Sequence, residues 1–388
     1  MSAEKGPPRI VMVANRHQQN DGQGRVNYEI ALAALNSGMH VTLLTAYCAD
    51  EIANHPQARL VKIGKEGRPT QLWKNLAFAR ESARWLRIHR GQYDLVQANG
   101  FITWADCDIV TAHFVHTSWG RSPYFQYARS WRPGALYQRL FTALNARWEQ
   151  RAFRAAKFVI AVSEIVAKDV EALGVPHERI RVVHNGVDTD EFAPGASVRG
   201  TFGLPDDVPM VLFAGDIRSP RKNLQTLLRA MGHLPNVHLA VAGDTMRSAA
   251  PALARELDLG DRVHFLGKTT RLPELMRSVD VFAFPSLYEP FGLVALEAAA
   301  SGLPAVLSHH VGSAGALQGV FTIVKDAEDA AELAAAIDNL LQSATRREEM
   351  AQRARDRALS LQWKDTAAGY LRIYQEMVQR QEMTERRA

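Results

Sequence analysis

Short apolar runs alternate along the chain with stretches whose apolar residues recur at helical spacing. RIVMVA, HVTLLTA, DLVQAN, DIVTAH, FVIAV and IRVVH are nearly continuous in aliphatic and β-branched residues, as parallel strands buried on both faces should be. The first run leads through a polar loop into a helical pattern with Val26, Ile30, Ala33 and Ala34 on one face. After IRVVHNGVDTDEFAPGAS the alternation restarts: MVLFAG, VHLAVAG, RVHFLG and DVFAFP read as strands, KNLQTLLRAM and FGLVALEAAASG as helices. Two successive strand–helix series predict two doubly wound α/β domains. Asn-Gly, Pro194, Gly195, Ser197 and Gly200 punctuate residues 186–200, so the domains are expected at 1–190 and 191–370. The end, DTAAGYLRIYQEMVQR, places Tyr370, Leu371, Tyr374, Met377 and Val378 in one stripe, which must pack against something.

A length of 388 residues suits two domains, and 47% apolar with 22% charged residues is a globular composition. No apolar run approaches the ~20 residues of a spanning helix, and the start MSAEKGPPRIVMVAN does not read as a cleavable leader. Two cysteines, Cys48 and Cys107, rule out a disulfide framework or a cysteine metal site. A cytoplasmic protein is expected. The net charge of +5 is uneven: residues 1–190 hold 24 Lys/Arg against 17 Asp/Glu, the remainder 22 against 24. The first half therefore faces an anionic partner more readily.

Four stretches carry candidate chemistry. ANRHQQNDGQGRVNYE puts Gly22 and Gly24 between a strand and a helix, where backbone N–H groups can cradle phosphate. A dinucleotide site would need a small residue where Asn27 stands and an acid at the end of VTLLTAY, which has none. SLYEPFGLVALEAAASGLP places Pro290 at a first helical turn, Gly292 beside it, Glu289 at the mouth and Glu297 two turns in. Eight residues of helix span ~12 Å, so these acids suit separate parts of one extended ligand. LFAGDIRSPRKNLQTLL offers Arg218, Arg221 and Lys222, with Lys222 opening a helix; fixed cations stabilise a departing diphosphate. DIVTAHFVHTSWGRSP ends a strand with His113 and, three residues on, His116. Zinc is not expected there, since no third ligand stands at suitable spacing; a structural core histidine is the alternative.

The string from Ser286 to Pro304 resembles the signature of family 4 of the retaining nucleotide-sugar glycosyltransferases. VVHNGVD, LAVAGD, AVSE at 161–164 and Trp363 are similar to further family positions. The resemblance covers most of the chain and is strongest from about 180 to 307. It implies the GT-B fold: two Rossmann-like α/β domains facing across a cleft, with a C-terminal helix of about 371–388 crossing back to the first. It also implies that the first domain binds the acceptor and the second the donor. By the same resemblance Glu289 contacts donor-sugar hydroxyls and Glu297 the ribose. Phe291, Gly292 and Leu293 offer backbone donors, and Lys222 with an arginine holds the diphosphate. The usual arginine position is Asp216 here, so Arg218 or Arg221 must serve. His113 falls near the reaction centre, and Gly22, Gly24, Asn185 and Gly243 join the donor-binding set. His184 stands where the family usually has proline, and SHHVGSAGALQGVF lacks its Gly-Gly and acid. The implied activity is retaining, metal-independent transfer of a hexose from a nucleotide-diphosphate sugar to a glycan or lipid-linked acceptor. No cofactor is expected, and the product would belong to polysaccharide, lipopolysaccharide or glycolipid assembly. A sugar-nucleotide epimerase of the same fold and a non-catalytic nucleotide-sugar-binding protein are the alternatives.

Residues 119–157 hold eight Arg/Lys against one acid, Glu149, and nine of the 31 aromatics. Interleaved arginines and rings suit an anionic membrane surface, which would put the protein on the inner face of the cell membrane. Such a stretch also suits single-stranded nucleic acid, a partner not expected here, or plain core packing.

Overall fold

The computed structural model describes residues 6–19, 22–64 and 70–385. It divides into two compact units: 1–122, 127–185 and 363–388 form the first, 123–126 and 186–362 the second. The division falls at 185/186, close to the expected 190. The C-terminal helix, however, begins at Trp363 and belongs with the first unit from there, earlier than the expected 371.

In the first unit seven strands form a parallel sheet: β1 (Arg9–Val13), β2 (His40–Thr45), β3 (Ala58–Lys62), β4 (Leu95–Asn99), β5 (Ile109–Ala112), β6 (Phe158–Ala161) and β7 (Ile180–Val182). Their order is β3-β2-β1-β4-β5-β6-β7, so the chain runs outward from β1 and then restarts on its other side. A switch of this kind leaves a crevice at the carboxyl ends of the strands. Helices α1 (Gly22–Asn36), α2 (Gln71–His89) and α3 (Pro133–Ala155) follow β1, β3 and β5. The strand interiors β1, β5 and β6 are buried almost throughout, which is why they are apolar at nearly every position rather than alternately, with Thr111 the polar exception.

The terminal stripe finds its partner in this unit. Tyr370, Ile373, Tyr374 and Met377 join Ile10, Met12, Val26, Ile30 and Leu95 in one core, with Leu371 packed against it. Tyr370 and Tyr374 are the bulkiest wholly buried side chains. Their hydroxyls are paired, as buried polar atoms must be: Tyr374 donates to Gln97 Oε1, and Tyr370 to Thr111 Oγ1 at 3.4 Å.

The second unit repeats the plan with β8 (Met210–Ala214), β9 (His238–Ala242), β10 (Val263–Gly267), β11 (Val281–Phe284), β12 (Ala305–Ser308) and β13 (Thr322–Val324), ordered β10-β9-β8-β11-β12-β13. Helix α4 (Leu224–Met231) follows β8 and α5 (Leu293–Ala300) follows β11. Helix α5 buries Ala295, Leu296 and the Ala298–Ala299–Ala300 run, small side chains that allow close packing.

Candidate functional site

Chemistry gathers at the carboxyl ends of the strands in each unit. In the second unit the focus is Glu289. It lies in the extended segment before α5, paired in parallel with Val311. Its N–H donates to His310 O at 3.0 Å, and its own carbonyl accepts from Gly312 N at 2.8 Å. Helix α5 starts only at Leu293, capped by Gly292 at φ +87°. The expectation of Pro290 in a first helical turn, with Glu289 at the helix mouth, is therefore corrected: both precede the helix. Glu297 sits little more than one turn inside it, half-buried. Gly292 is required on two counts. Its φ is left-handed, and a Cβ would stand 3.0 Å from Val311 Cγ1 and 3.1 Å from Glu289 Cγ. It brings the amide end of α5 beside the Glu289 segment, where an anion is favoured.

The Glu289 carboxylate is buried and holds two cations. Lys222 Nζ donates to Oε2, and Arg221 Nη1 donates to the same oxygen at 3.0 Å and to Tyr288 O at 3.0 Å. Lys222 Nζ also lies 4.8 Å from the centre of the Phe284 ring. Burial by itself would raise the Glu289 pKa, but the charges of Lys222 and Arg221 outweigh it and hold the carboxyl below its usual range. Lys222 is pushed down by burial and by Arg221, against the pull of Glu289.

The turn carrying these cations is built by Asn223. Lys222 does not open the helix as expected. It ends a 3₁₀ turn, Pro220–Lys222, and Asn223 follows at φ +58° as the cap of α4. Asparagine tolerates that conformation, and its Nδ2 is anchored to Pro285 O at 2.9 Å and Ala327 O at 2.6 Å. Leu287 N donates to Arg221 O at 2.7 Å, fixing the preceding residue too. Arg218 lies elsewhere on the loop, half-exposed between Asp216 at 2.9 Å and Asp244 at 3.2 Å. The geometry thus groups Arg221, and not Arg218, with Lys222 and Glu289. Gly243 lets two strand-end loops touch: a Cβ there would fall 2.4 Å from Gly215 O and 2.7 Å from Ile217 Cγ2.

The first unit holds a cavity of about 340 Å³ at the carboxyl ends of β1, β4 and β5. Amides dominate its lining: Asn15, Asn27, Asn75, Asn99 and Asn145, with Arg16, Gly24, three phenylalanines, His113, His116 and Glu149. Asn99 Nδ2 donates to Asn27 Oδ1 at 2.6 Å, and Asn27 Nδ2 to Arg16 O at 2.9 Å, so these amides are held in fixed orientation. His113 Nε2 is buried without a hydrogen-bond partner, and burial pushes its pKa down to about 4; the ring is neutral at pH 7. His116 contacts Glu149, a residue of α3 on which sequence reasoning placed no role. Gly22 opens α1, near but not among the lining residues. Asn185 ends the first unit, its Oδ1 buried and unpartnered. Among the described residues no three His, Cys, Asp or Glu side chains group to hold a metal, and no helix is long and apolar enough to cross a membrane.

Comparison with known proteins bears on both sites. Residues 20–191 match the family Glycosyltransferase Family 4, and residues 197–357 match Glycosyl transferases group 1. A D-inositol 3-phosphate glycosyltransferase of Mycobacterium tuberculosis is 33% identical over 329 residues, 80% of this chain and 67% of the relative. The fold is similar to sucrose-phosphate synthase from Thermosynechococcus elongatus, with TM-score 0.77 and 23% identity over 95% of this chain and 99% of that one. It is also similar to Anabaena HepE in complex with UDP-glucose, with TM-score 0.67 and 19% identity over 97% and 100%.

Proposed function

The chain belongs to family 4 of the glycosyltransferases, with the GT-B fold, and from that membership we propose that it moves a hexose from a nucleotide-diphosphate sugar to an acceptor hydroxyl with retention of configuration. The observation that carries this reading is the cation pair on Glu289 beside the amide end of α5. A donor laid there offers its diphosphate to Lys222 and Arg221, its sugar hydroxyls to Glu289 and its ribose to Glu297. Uridine diphosphate is the first donor nucleotide to test, since HepE binds UDP-glucose.

In the reaction the bond from the anomeric carbon to the phosphate oxygen breaks, and the bond to the acceptor oxygen forms on the same face. The acceptor's proton passes to the departing phosphate oxygen. Negative charge grows on the diphosphate as this happens, so fixed cations act more strongly in the transition state than in the ground state. No metal is asked of the protein in this scheme. The amide-lined cavity of the first unit suits an uncharged, hydroxyl-rich acceptor, because amides both donate to and accept from hydroxyls.

A membrane-borne acceptor is favoured by α3 and the segment leading into it. Trp131 is 81% and Leu140 53% exposed, with Leu136 also exposed. Leu136, Leu140, Ala143 and Arg147 follow at spacings of four, three and four, so they share one helix face, and Arg129 and Arg132 are exposed close by in sequence. Apolar side chains ringed by arginine complement an anionic bilayer. On this reading the protein works at a membrane surface in polysaccharide, lipopolysaccharide or glycolipid assembly.

The test is a calorimetric screen of nucleoside diphosphates followed by incubation with the matching sugar donors. Transfer, or slow donor hydrolysis, supports the reading. Epimer formation would make the protein an epimerase of this fold, and binding without turnover an interaction module.

A further inference from the structure

His116 and Glu149 form a linked pair that the donor chemistry does not use. Glu149 is 4% exposed, and both of its carboxylate oxygens are engaged by one residue. Oε2 accepts the backbone N–H of His116 at 2.9 Å, and Oε1 faces His116 Nδ1 at 2.7 Å. His116 is the first residue of the short helix His116–Arg121, so the backbone contact satisfies an amide that the helix itself leaves open. The imidazole ring is held edge-on by Phe114 at 4.9 Å and Phe141 at 5.8 Å. Its other nitrogen, Nε2, has no hydrogen-bond partner among the described residues, and the ring lines the 340 Å³ cavity.

A carboxylate supplies acceptors only, so it fixes the proton of a neutral ring on Nδ1 and leaves Nε2 as a lone-pair acceptor. We propose that His116, kept in this tautomer by Glu149, accepts a hydrogen bond at Nε2 from a hydroxyl of a neutral, polyhydroxylated acceptor. Glu149 is then a positioning residue that acts through His116. This rests on the assignment of the cavity to the acceptor. The neighbouring groups agree with it: His113 and the amides of Asn27, Asn99 and Asn145 line the same space. A hydroxyl can donate to Nε2 while accepting from an amide, whereas a bare phosphate oxygen, having no proton, cannot donate to it.

Glu149→Gln separates positioning from simple packing. Glutamine has one acceptor where the site needs two. The backbone N–H of His116 cannot change its character, so it keeps the oxygen and the amide NH₂ turns to Nδ1. The ring must then move its proton to Nε2 and meet the substrate hydroxyl as a donor. His116→Asn is the companion variant: the new side-chain NH₂ can still donate to Glu149, but the Nε2 acceptor is gone.

The experiment uses the full chain labelled with ¹⁵N-histidine. The wild type should show His116 protonated on Nδ1, and Glu149→Gln should show the proton on Nε2. myo-Inositol and methyl α-D-glucopyranoside serve as neutral probes, and at least one should shift the wild-type Nε2 resonance on titration. Both variants should bind that probe about ten- to a hundredfold more weakly, the range expected when a buried polar partner is lost, while nucleoside-diphosphate affinity measured in parallel stays within about twofold. A wild-type ring protonated on Nε2, no response of Nε2 to either probe, or unchanged probe affinity in both variants would overturn the proposal. Failure of the donor-site reading would show separately, as absence of nucleotide binding in the wild type.

Discussion

Replacing Lys222 by alanine tests whether the cations of the second unit act on the departing diphosphate. Lys222 shares one carboxylate oxygen of Glu289 with Arg221, which lies 3.0 Å from that oxygen and is left in place by the change. Stripping a buried charge of its whole partner costs about 3–5 kcal/mol. Here Glu289 keeps one cation, and the variant is also relieved of burying the ammonium, a cost large enough to lower the Lys222 pKa. The net loss of stability should therefore be about 1–2 kcal/mol, which a domain stable by about 5–15 kcal/mol survives folded. The catalytic cost should be larger. Removing one fixed donor from a developing anion lowers turnover by about 10²–10³, or about 2.7–4 kcal/mol. Urea unfolding gives the first quantity. Steady-state kinetics of transfer, or of donor hydrolysis, give the second. A folded variant with wild-type kcat and only a raised donor KM would show that Lys222 binds the ground and transition states alike, and the leaving-group role would be refuted.

Three further outcomes are expected. Arg221→Ala should lower turnover about tenfold or more, since it removes a second cation from the same carboxylate, whereas Arg218→Ala, a surface contact with Asp216 and Asp244, should change activity less than about twofold; equal losses would return Arg218 to the diphosphate site. Because the folded pKa of Glu289 is lowered, its ion pairs contribute stability that is full above the ordinary carboxylate pKa of ~4.3 and is lost as pH falls through the lower folded value; the stability gap between wild type and Glu289→Gln should accordingly narrow as pH falls below about 4.3 in urea melts, and a gap independent of pH would contradict the pairing. Wild-type protein should co-sediment with anionic vesicles and much less with neutral ones, and the triple change Arg129→Gln, Trp131→Ser, Arg132→Gln should remove most of that binding, at about 1 kcal/mol per arginine; sedimentation indifferent to lipid charge would leave α3 and the segment before it without a membrane role.

The parts of this architecture that were legible in the chain are those where burial acts on every residue. Strands β6 and β8 are continuous apolar runs because both faces are covered, and each stands out without knowledge of its neighbours. Strand β3, ARLVK, does not stand out in the chain because it lies at the sheet edge with Arg59 and Lys62 on it; edge strands carry charge to discourage further pairing, which erases the apolar pattern. The glutamates, glycines and lysine of the second unit were legible as residue types at fixed spacing. Their geometry was not, because it depends on a single asparagine in a left-handed turn tied to Pro285 and Ala327. That anchor decides which of two arginines turns towards Glu289, and both contacts are long-range. Glu149 shows the same limit more sharply. In sequence it was the one acid in a basic stretch of 39 residues, which reads as incidental. Yet a carboxylate surrounded by arginines on an exposed helix would pair with them in solvent at almost no gain. One that is instead buried, and spends both oxygens on a histidine 33 residues away, has exchanged hydration for two directional bonds that hold that histidine in place.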